Sequence, residues 1–176
     1  MTLEGDRVVL RAVEPEDADL LYQWENDATL WQDSSAIAPY SKYQLKTYIE
    51  TAGDIYALRQ LRLMISRKRD GLTIGCVDLF EFEPRHGRAE LGILIDKDFR
   101  RKGYATEALA LIEVYAFRLF NLHQLYCYVS RRNEPSQRLF YAAGFQLGAT
   151  LHDWFRNEDW EDALLFQKMS HGCKIK

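Results

Sequence analysis

The sequence predicts an α/β fold with a mixed, mostly antiparallel sheet, one parallel strand pair and helices on both faces. Short segments alternate between apolar and polar residues, Asp70-Gly71 joins two of them in a strong hairpin signal, and a long helical repeat separates two later strand-like segments. A strand, a crossover helix and a second strand of this size form a parallel, right-handed unit. The length of 176 residues suits one domain, which we expect over residues 1–170, with a tail at residues 171–176.

Periodicity and capping residues assign the elements in chain order. Ser41 is a suitable N-cap for one helix, and Asn133, Pro135 and Gly144 mark the start, first turn and end of another. The predicted strands cover residues 8–12, 61–67, 73–82, 88–95, 124–129, 146–152 and 163–167, with turns at 84–87 and 156–158. The predicted helices cover residues 17–24, 42–51 and 102–120 and the segment between Asn133 and Gly144.

Composition excludes several classes of protein. Hydrophobic residues make up 47% of the chain and charged residues 28%, as in an ordinary globular protein. No apolar stretch approaches a membrane span, and the N-terminal residues, with Glu4 and Asp6, lack the apolar run of a signal peptide, so we expect a cytoplasmic protein without membrane association. The net charge of −3 gives no support to a nucleic-acid partner. The three cysteines are too few and too widely spaced for a zinc site, and we expect no metal.

A basic turn, Phe-Arg-Arg-Lys-Gly-Tyr-Ala-Thr at residues 99–106, lies between a strand-like segment and the long helix. The first N–H groups of a helix have no intrahelical partner and carry partial positive charge, so they bind phosphate oxygens without a side chain. Gly103 lets the backbone approach closely, and Arg100, Arg101 and Lys102 add cationic attraction. The turn predicts an anion site, although an ordinary helix start with a solvated basic cluster would show the same residues.

A second motif follows at the predicted short helix, and together the two motifs resemble those of the GNAT superfamily of N-acetyltransferases. The resemblance is greatest to its spermidine and ribosomal-protein N-terminal acetyltransferase branches. The residues that match the phosphate-turn motif are Arg100, Gly103 and Ala105, and those that match the downstream motif are Asn133, Ser136, Gly144 and Phe145. Two motifs in order, each beside the expected strand and helix, are more specific than either one alone.

The resemblance implies the GNAT acyltransferase fold, with acetyl-coenzyme A (acetyl-CoA) as the acetyl donor and no metal. It implies transfer to a primary amine, either a polyamine-like small molecule or a protein N-terminus, by direct attack in a ternary complex. The pyrophosphate would bind the N–H groups of residues 101–106, and the pantetheine arm would pair with residues 93–95 as an added strand. The implied cofactor-binding residues are Ile93, Leu94, Ile95, Arg100, Arg101, Lys102, Gly103, Tyr104, Ala105, Thr106, Asn133, Ser136 and Phe140.

One position departs from the family pattern. Many members carry a tyrosine four residues before the glycine of Gly-Phe, where it protonates the departing thiolate of coenzyme A, and this chain has Phe140 there. Tyr141 is adjacent, but one step along a helix turns a side chain by about 100°. Tyr141 is therefore only a candidate for the catalytic acid. The departure leaves open a function of another class, an acyl-CoA-binding or regulatory module without catalysis.

The attacking amine must lose a proton, and two carboxylates are candidates for the catalytic base. A lysine-like amine has a pKa of about 10.4, so its deprotonation at pH 7 costs roughly 4 to 5 kcal/mol. Asp78 and Glu90 lie in strands close in sequence to the implied acetyl site. Glu90 is preferred because residues 86–90 resemble the corresponding segment of polyamine acetyltransferases. Both carboxylates could equally be exposed strand residues or partners in core ion pairs.

Charge and aromatic residues give the remaining indications about the acceptor. The acidic residues that would suit a polyamine or a basic peptide are Glu25, Asp27, Asp33, Glu81 and Glu83. The aromatic residues that could form a wall with cation–π character are Trp24, Trp31 and Tyr40. A solvated acidic surface with core aromatics is the alternative. The aromatic residues that would close the acceptor pocket, or bury an interface in a homo-oligomer, are Trp154, Phe155 and Trp160.

Overall fold

Strand pairing organises the fold. The computed structural model of the chain describes residues 3–31 and 38–170. Its helices are α1 (Ala18–Glu25), α2 (Ala28–Trp31), α3 (Lys42–Thr51), α4 (Ile55–Leu58), α5 (Tyr104–Arg118) and α6 (Glu134–Ala142). Its strands are β1 (Val8–Ala12), β2 (Leu61–Arg67), β3 (Thr73–Glu83), β4 (Arg88–Ile95), β5 (Gln124–Ser130), β6 (Gln146–Arg156) and β7 (Trp160–Met169). These seven strands of the described residues form one sheet in the order β1-β2-β3-β4-β5-β7-β6.

The sheet is antiparallel except at one pair of strands, β4 and β5. This parallel pairing is short, running from Arg88 opposite Gln124 to Glu90 opposite Tyr126. The long helix α5 connects the two strands, as predicted for a crossover unit. These pairings confirm the predicted mixed, mostly antiparallel sheet. Beyond Glu90, β4 continues to Ile95 and pairs only with β3 within the described part of the chain.

Helices cover both faces of the sheet, which confirms a further part of the predicted fold. On one face, α5 buries Leu109 and Ile112 against the strands. On the other face, α1 and α3 bury Leu21 and Leu45 against Met64 of β2. Because successive strand residues point to opposite faces, a strand covered on both sides contains few polar residues. This explains the continuous burial along the second half of β2.

Three elements differ from their predicted bounds for identifiable reasons. Helix α5 begins at Tyr104 and not at residue 102, because Gly103 has a φ of 80°, outside the helical region. Strands β6 and β7 are longer than predicted and form one hairpin. A register shift between Leu151 and Phe155, with Asp153 at a φ of 51°, interrupts the alternation from which the end of β6 was predicted.

Two of the three cysteines lie in the core, and the third lies outside the described residues. Cys76 and Cys127 are buried in strands, and burial raises the pKa of both thiols, which keeps them protonated at neutral pH. Cys173 and the predicted tail, residues 171–176, lie outside the described residues. Within residues 3–31 and 38–170, no helix combines the length and the apolar character needed to cross a membrane.

A buried ion cluster joins α1 to the sheet. Arg62 donates from Nε and Nη2 to the two carboxylate oxygens of Asp78, at 2.6 and 3.2 Å, and from Nη1 to Glu25 of α1 at 2.5 Å. The side chains of Arg62 and Asp78 are only 11% and 7% exposed. Because both charged groups are buried, removal of one would leave the other in the core without its full counter-charge.

Replacement of Asp78 by Ala should lower the free energy of unfolding by about 3 to 5 kcal/mol, because Arg62 would stay buried without its main counter-charge. Urea denaturation followed by circular dichroism would measure the loss. The matched control is Asp19→Ala, which removes the exposed ion pair of Asp19 with Lys42 and should leave the midpoint unchanged. Equal midpoints for the two variants would contradict a stabilising role for the cluster.

Candidate active site

The turn between β4 and α5 presents consecutive backbone donors. Arg101 and Gly103 have left-handed backbone angles, with φ of 60° and 80°, and α5 begins at the next residue, Tyr104. The N–H groups of residues 101–106 have no hydrogen-bond acceptor within the described ranges 3–31 and 38–170. They lie at the positive end of the dipole of a 15-residue helix. The turn therefore has the donors that the predicted anion site requires.

Arg7 and Glu107 hold this turn from the side of β1. Arg7 donates from Nη1 and Nη2 to the carbonyl oxygens of Lys102 and Gly103, at 2.9 and 3.2 Å, and from Nε to Glu107 at 3.0 Å. Glu107 also accepts the backbone N–H groups of Arg7 and Val8. Burial favours the neutral carboxyl, but these donors outweigh it and lower the pKa of Glu107 below its usual value. Sequence analysis missed both residues, because they lie 100 positions apart and belong to neither motif.

The basic side chains of the turn contact nearby backbone. Arg100 donates to the carbonyl oxygen of Ile95 at 2.9 Å, and Lys102 donates to that of Asp98 at 2.7 Å. Arg101 is exposed. All three charges remain close to the turn and raise its positive potential.

A groove of about 320 Å³ lies between the end of β4 and helices α1 and α2. Leu94 and Arg100 line it together with Trp24, whose indole N–H donates to Asp96 at 3.0 Å. Trp24 is 7% exposed and packs in the core, so it does not form an exposed aromatic wall. Asp33, one of the predicted acidic residues, lies outside the described residues.

β4 has an open backbone edge beyond Glu90. Residues 91–95 pair with β3, while the pairing of β4 with β5 ends at Glu90. The residues predicted to bind the pantetheine arm, Ile93, Leu94 and Ile95, all lie on this open segment. An open strand edge offers N–H and C=O groups to an extended ligand, so the segment can accept the predicted strand-like pairing.

Glu90 lies where β4 and β5 separate. It is partly buried, and its carboxylate has no hydrogen bond or ion pair within the described part of the chain. Burial raises its pKa, and the neighbouring charge of Glu81 raises it further. Tyr126 lies opposite Glu90, and burial, with a smaller contribution from the Glu90 charge, raises the pKa of Tyr126 to about 12. A carboxylate in such a setting is suited to accept a proton at neutral pH.

Most other acidic candidates are held in ion pairs. Arg62 binds both Asp78 and Glu25, and Arg59 binds Glu83 at 2.8 Å. Asp78 therefore takes the structural role that the sequence left open for it, as a partner in a core ion pair. Of the two predicted bases, Glu90 has the environment that general base catalysis requires.

Aromatic residues of β5 and β6 extend the surface next to Glu90. Tyr128 contacts Tyr126 edge to face, with 5.8 Å between ring centroids, and stacks on Trp154 at 5.7 Å. Trp154 is 52% exposed. Sequence analysis missed Tyr126 and Tyr128, although the alternation of β5 places both on the face opposite buried Cys127. These rings lie on the same face as Glu90 and could contact an acceptor.

The predicted residues of α6 occupy different environments. Asn133 caps the helix, with its side-chain oxygen accepting the N–H of Ser136 at 3.1 Å, as predicted for an N-cap. The ring of Phe140 is 3% exposed and packs in the core, stacked on Phe166. Tyr141 is 52% exposed and contacts the same Phe166 ring edge to face, at 4.9 Å. The two neighbouring positions thus lie inside and outside the core.

Comparisons with known proteins give a matching family and a related enzyme. A family model described as "Acetyltransferase (GNAT) domain" matches residues 7–146. A spermidine N(1)-acetyltransferase of Escherichia coli K12 is 30% identical over 162 residues, which cover 89% of this chain and 83% of that protein.

Solved structures share the fold. A spermidine N-acetyltransferase from Vibrio cholerae, in complex with CoA and spermine, has a TM-score of 0.83 at 24% identity, covering 94% of this chain and 96% of that one. A ribosomal-protein-S5-alanine acetyltransferase from Vibrio fischeri has a TM-score of 0.82 at 18% identity, covering 97% of each chain. These likenesses confirm the fold predicted from the sequence.

Proposed function

The chain belongs to the GNAT acetyltransferase family and is an acetyl-CoA-dependent N-acetyltransferase, and we propose that its acceptor is a primary amine that attacks directly in a ternary complex. The observation that carries the proposal is the row of backbone donors at residues 101–106 beside the open edge of β4. One surface then binds the donor next to a carboxylate that can deprotonate the acceptor. The proposal includes an acetyltransferase domain over residues 1–170 and a cytoplasmic location, both of which stay predictions.

The donor would be held mainly by backbone groups. Residues 101–106 would bind the pyrophosphate through N–H groups, and residues 93–95 would pair with the pantetheine arm. Asn133, Ser136 and Phe140 stay predictions as contacts of α6 with the donor. Bound acetyl-CoA supplies the activated acetyl thioester. The chain positions the donor and the acceptor, and correct positioning of two reactants can lower a reaction barrier by about 7 to 11 kcal/mol.

Glu90 would take the proton of the acceptor amine, directly or through water. Its carboxylate has no cation partner among the described residues, and Glu81 adds negative charge that favours a cationic acceptor. A polyamine-like small molecule fits these charges, and the Escherichia coli relative is named for a polyamine substrate. A protein N-terminus is the second acceptor class. Phe140 stands at the position of the usual tyrosine. It favours a second function, that of a module that binds acyl-CoA without turnover.

A combined binding and turnover experiment tests the proposal. Isothermal titration would measure the affinity for CoA, and release of free thiol from acetyl-CoA would be followed with spermidine, spermine, single amines and peptides with free N-termini. Turnover with an amine is the expected result. Tight CoA binding without turnover on any amine would favour the module without catalysis, and no CoA binding would reject both functions.

Replacement of Gly103 by Val should raise the dissociation constant of CoA about tenfold or more, because a β-branched residue is strained at a φ of 80° and must displace the turn. Isothermal titration measures the effect. Gly53→Val is the matched control, since a Cβ added at Gly53 would meet no atom within 4 Å and this glycine lies away from the turn. Equal affinities in the two variants would count against the phosphate turn.

Replacement of Glu90 by Gln should lower kcat/KM by about 10²- to 10⁴-fold near neutral pH, where the amine is protonated and Glu90 is ionised. The raised pKa of Glu90 places the acidic limb of the parent profile above the usual range for a glutamate. The loss should shrink towards about pH 10, because the amine then deprotonates without a base. Glu50→Gln, at an exposed position on α3, is the control. A ratio of parent to variant that is constant with pH would reject Glu90 as the base.

Replacement of Tyr141 by Phe should lower turnover by about a hundredfold, if its hydroxyl protonates the thiolate, and should leave CoA affinity unchanged. Steady-state kinetics and titration calorimetry would separate the two effects. Tyr43→Phe, at a position 78% exposed on α3, controls for loss of a surface hydroxyl. Unaltered turnover in the Tyr141 variant would remove this residue from the mechanism.

A further inference from the structure

We propose that Arg7, at the start of the N-terminal strand, is a positioning residue that orients the phosphate-binding N–H groups of the turn. The inference rests on the proposed function, because it assumes that the turn binds the pyrophosphate of acetyl-CoA. Arg7 lies 95 and 96 positions before the two turn residues whose carbonyls it binds. It belongs to neither of the motifs that identify the turn.

The contacts of Arg7 involve all three nitrogens of its guanidinium group. Nη1 and Nη2 donate to the carbonyl oxygens of Lys102 and Gly103, and Nε donates to the carboxylate of Glu107 in the first turn of α5. The guanidinium also lies 5.3 Å from the ring centroid of Tyr104. The guanidinium group of Arg7 therefore contacts four residues around the start of α5, namely Lys102, Gly103, Tyr104 and Glu107.

Because of the geometry of the peptide group, these contacts also fix the direction of the N–H groups that follow the two carbonyls. The described chain has no cis peptide bond, and in a trans peptide the C=O and N–H groups point in opposite directions. Arg7 binds the carbonyls of Lys102 and Gly103, so the N–H groups of Gly103 and Tyr104 point away from Arg7. Those two N–H groups lie in the middle of the proposed pyrophosphate site.

Gly103 is adapted to this arrangement. A Cβ at this position would lie 2.9 Å from Nη2 of Arg7, and its φ of 80° is itself unfavourable for a side chain. The glycine therefore allows the guanidinium to approach as well as allowing the turn to form. The family glycine of the phosphate turn and Arg7 act as a pair.

Arg7 is itself held in place by the sheet. Its backbone N–H donates to Glu107 at 2.7 Å, and its carbonyl accepts the N–H of Lys68 at 2.8 Å, beyond the end of β2. Glu107 binds the adjacent N–H of Val8 as well. The start of β1 thus has a defined position relative to α5, which a positioning residue requires.

The test compares two acetyl donors in the Arg7→Lys variant, since lysine keeps the charge but lacks the planar fork whose three nitrogens donate to two carbonyls and a carboxylate. The donors are acetyl-CoA and S-acetylpantetheine, which lacks the pyrophosphate. We expect kcat/KM for acetyl-CoA to fall about tenfold to a hundredfold, with a matching rise in the dissociation constant of CoA. With S-acetylpantetheine, kcat/KM should stay within about twofold of the parent value.

The comparison of donors separates positioning from a general structural role. A structural defect would lower kcat/KM for both donors alike, and that result would overturn the inference, as would an unchanged affinity for CoA. Lys68→Ala is the control, since its ammonium binds the same N-terminal segment at Gly5 but not the turn, and it should behave as the parent does. Failure of the parent protein to bind CoA would instead reject the proposed function, and the inference with it.

Discussion

The separation of β4 from β5 after Glu90 is the constraint on which the rest of the structure depends. The two strands pair from Arg88 to Glu90 of β4, whereas β5 pairs along its whole length with β7 on its other edge. Divergence leaves a backbone edge on β4 that leads to the start of α5, where the N–H groups of residues 101–106 have no acceptor in the described chain. A strand edge that suits pairing with an extended ligand and a helix end that suits an anion are thereby joined in one continuous surface.

The electrostatic environment separates the two carboxylates that the sequence offers as candidate bases. Asp78 and Glu90 lie on adjacent strands, but Arg62 binds only the first of them. Asp78 contributes to a buried ion cluster that joins α1 to the sheet. Glu90 has no such cation, and its burial beside Glu81 raises its pKa. One carboxylate is therefore part of the scaffold, and the other has the properties of a base.

The N-terminal strand contributes to the donor site as well as to the edge of the sheet. Glu107 binds the backbone of β1, and Arg7 binds the backbone of the turn, so each element fixes the other. Hydrogen bonds that involve a charged group are stronger than neutral ones. A phosphate-binding turn made of backbone alone would be held less firmly without such external contacts, since Gly103 increases the freedom of its own segment.

The sequence by itself determined the order and type of the strands and the longer helices, the parallel crossover and the turn, because these depend on local periodicity, capping and glycine placement. It also indicated the cap at Asn133 and the preference for Glu90. It did not indicate the four-residue helices α2 and α4. Only the tertiary structure decided that Arg62 neutralises Asp78, that Arg7 binds carbonyl oxygens of the turn and that Phe140 is buried while Tyr141 is exposed. The physical reason is that these outcomes depend on contacts between residues distant in the chain, which hydrophobic alternation along one segment does not encode.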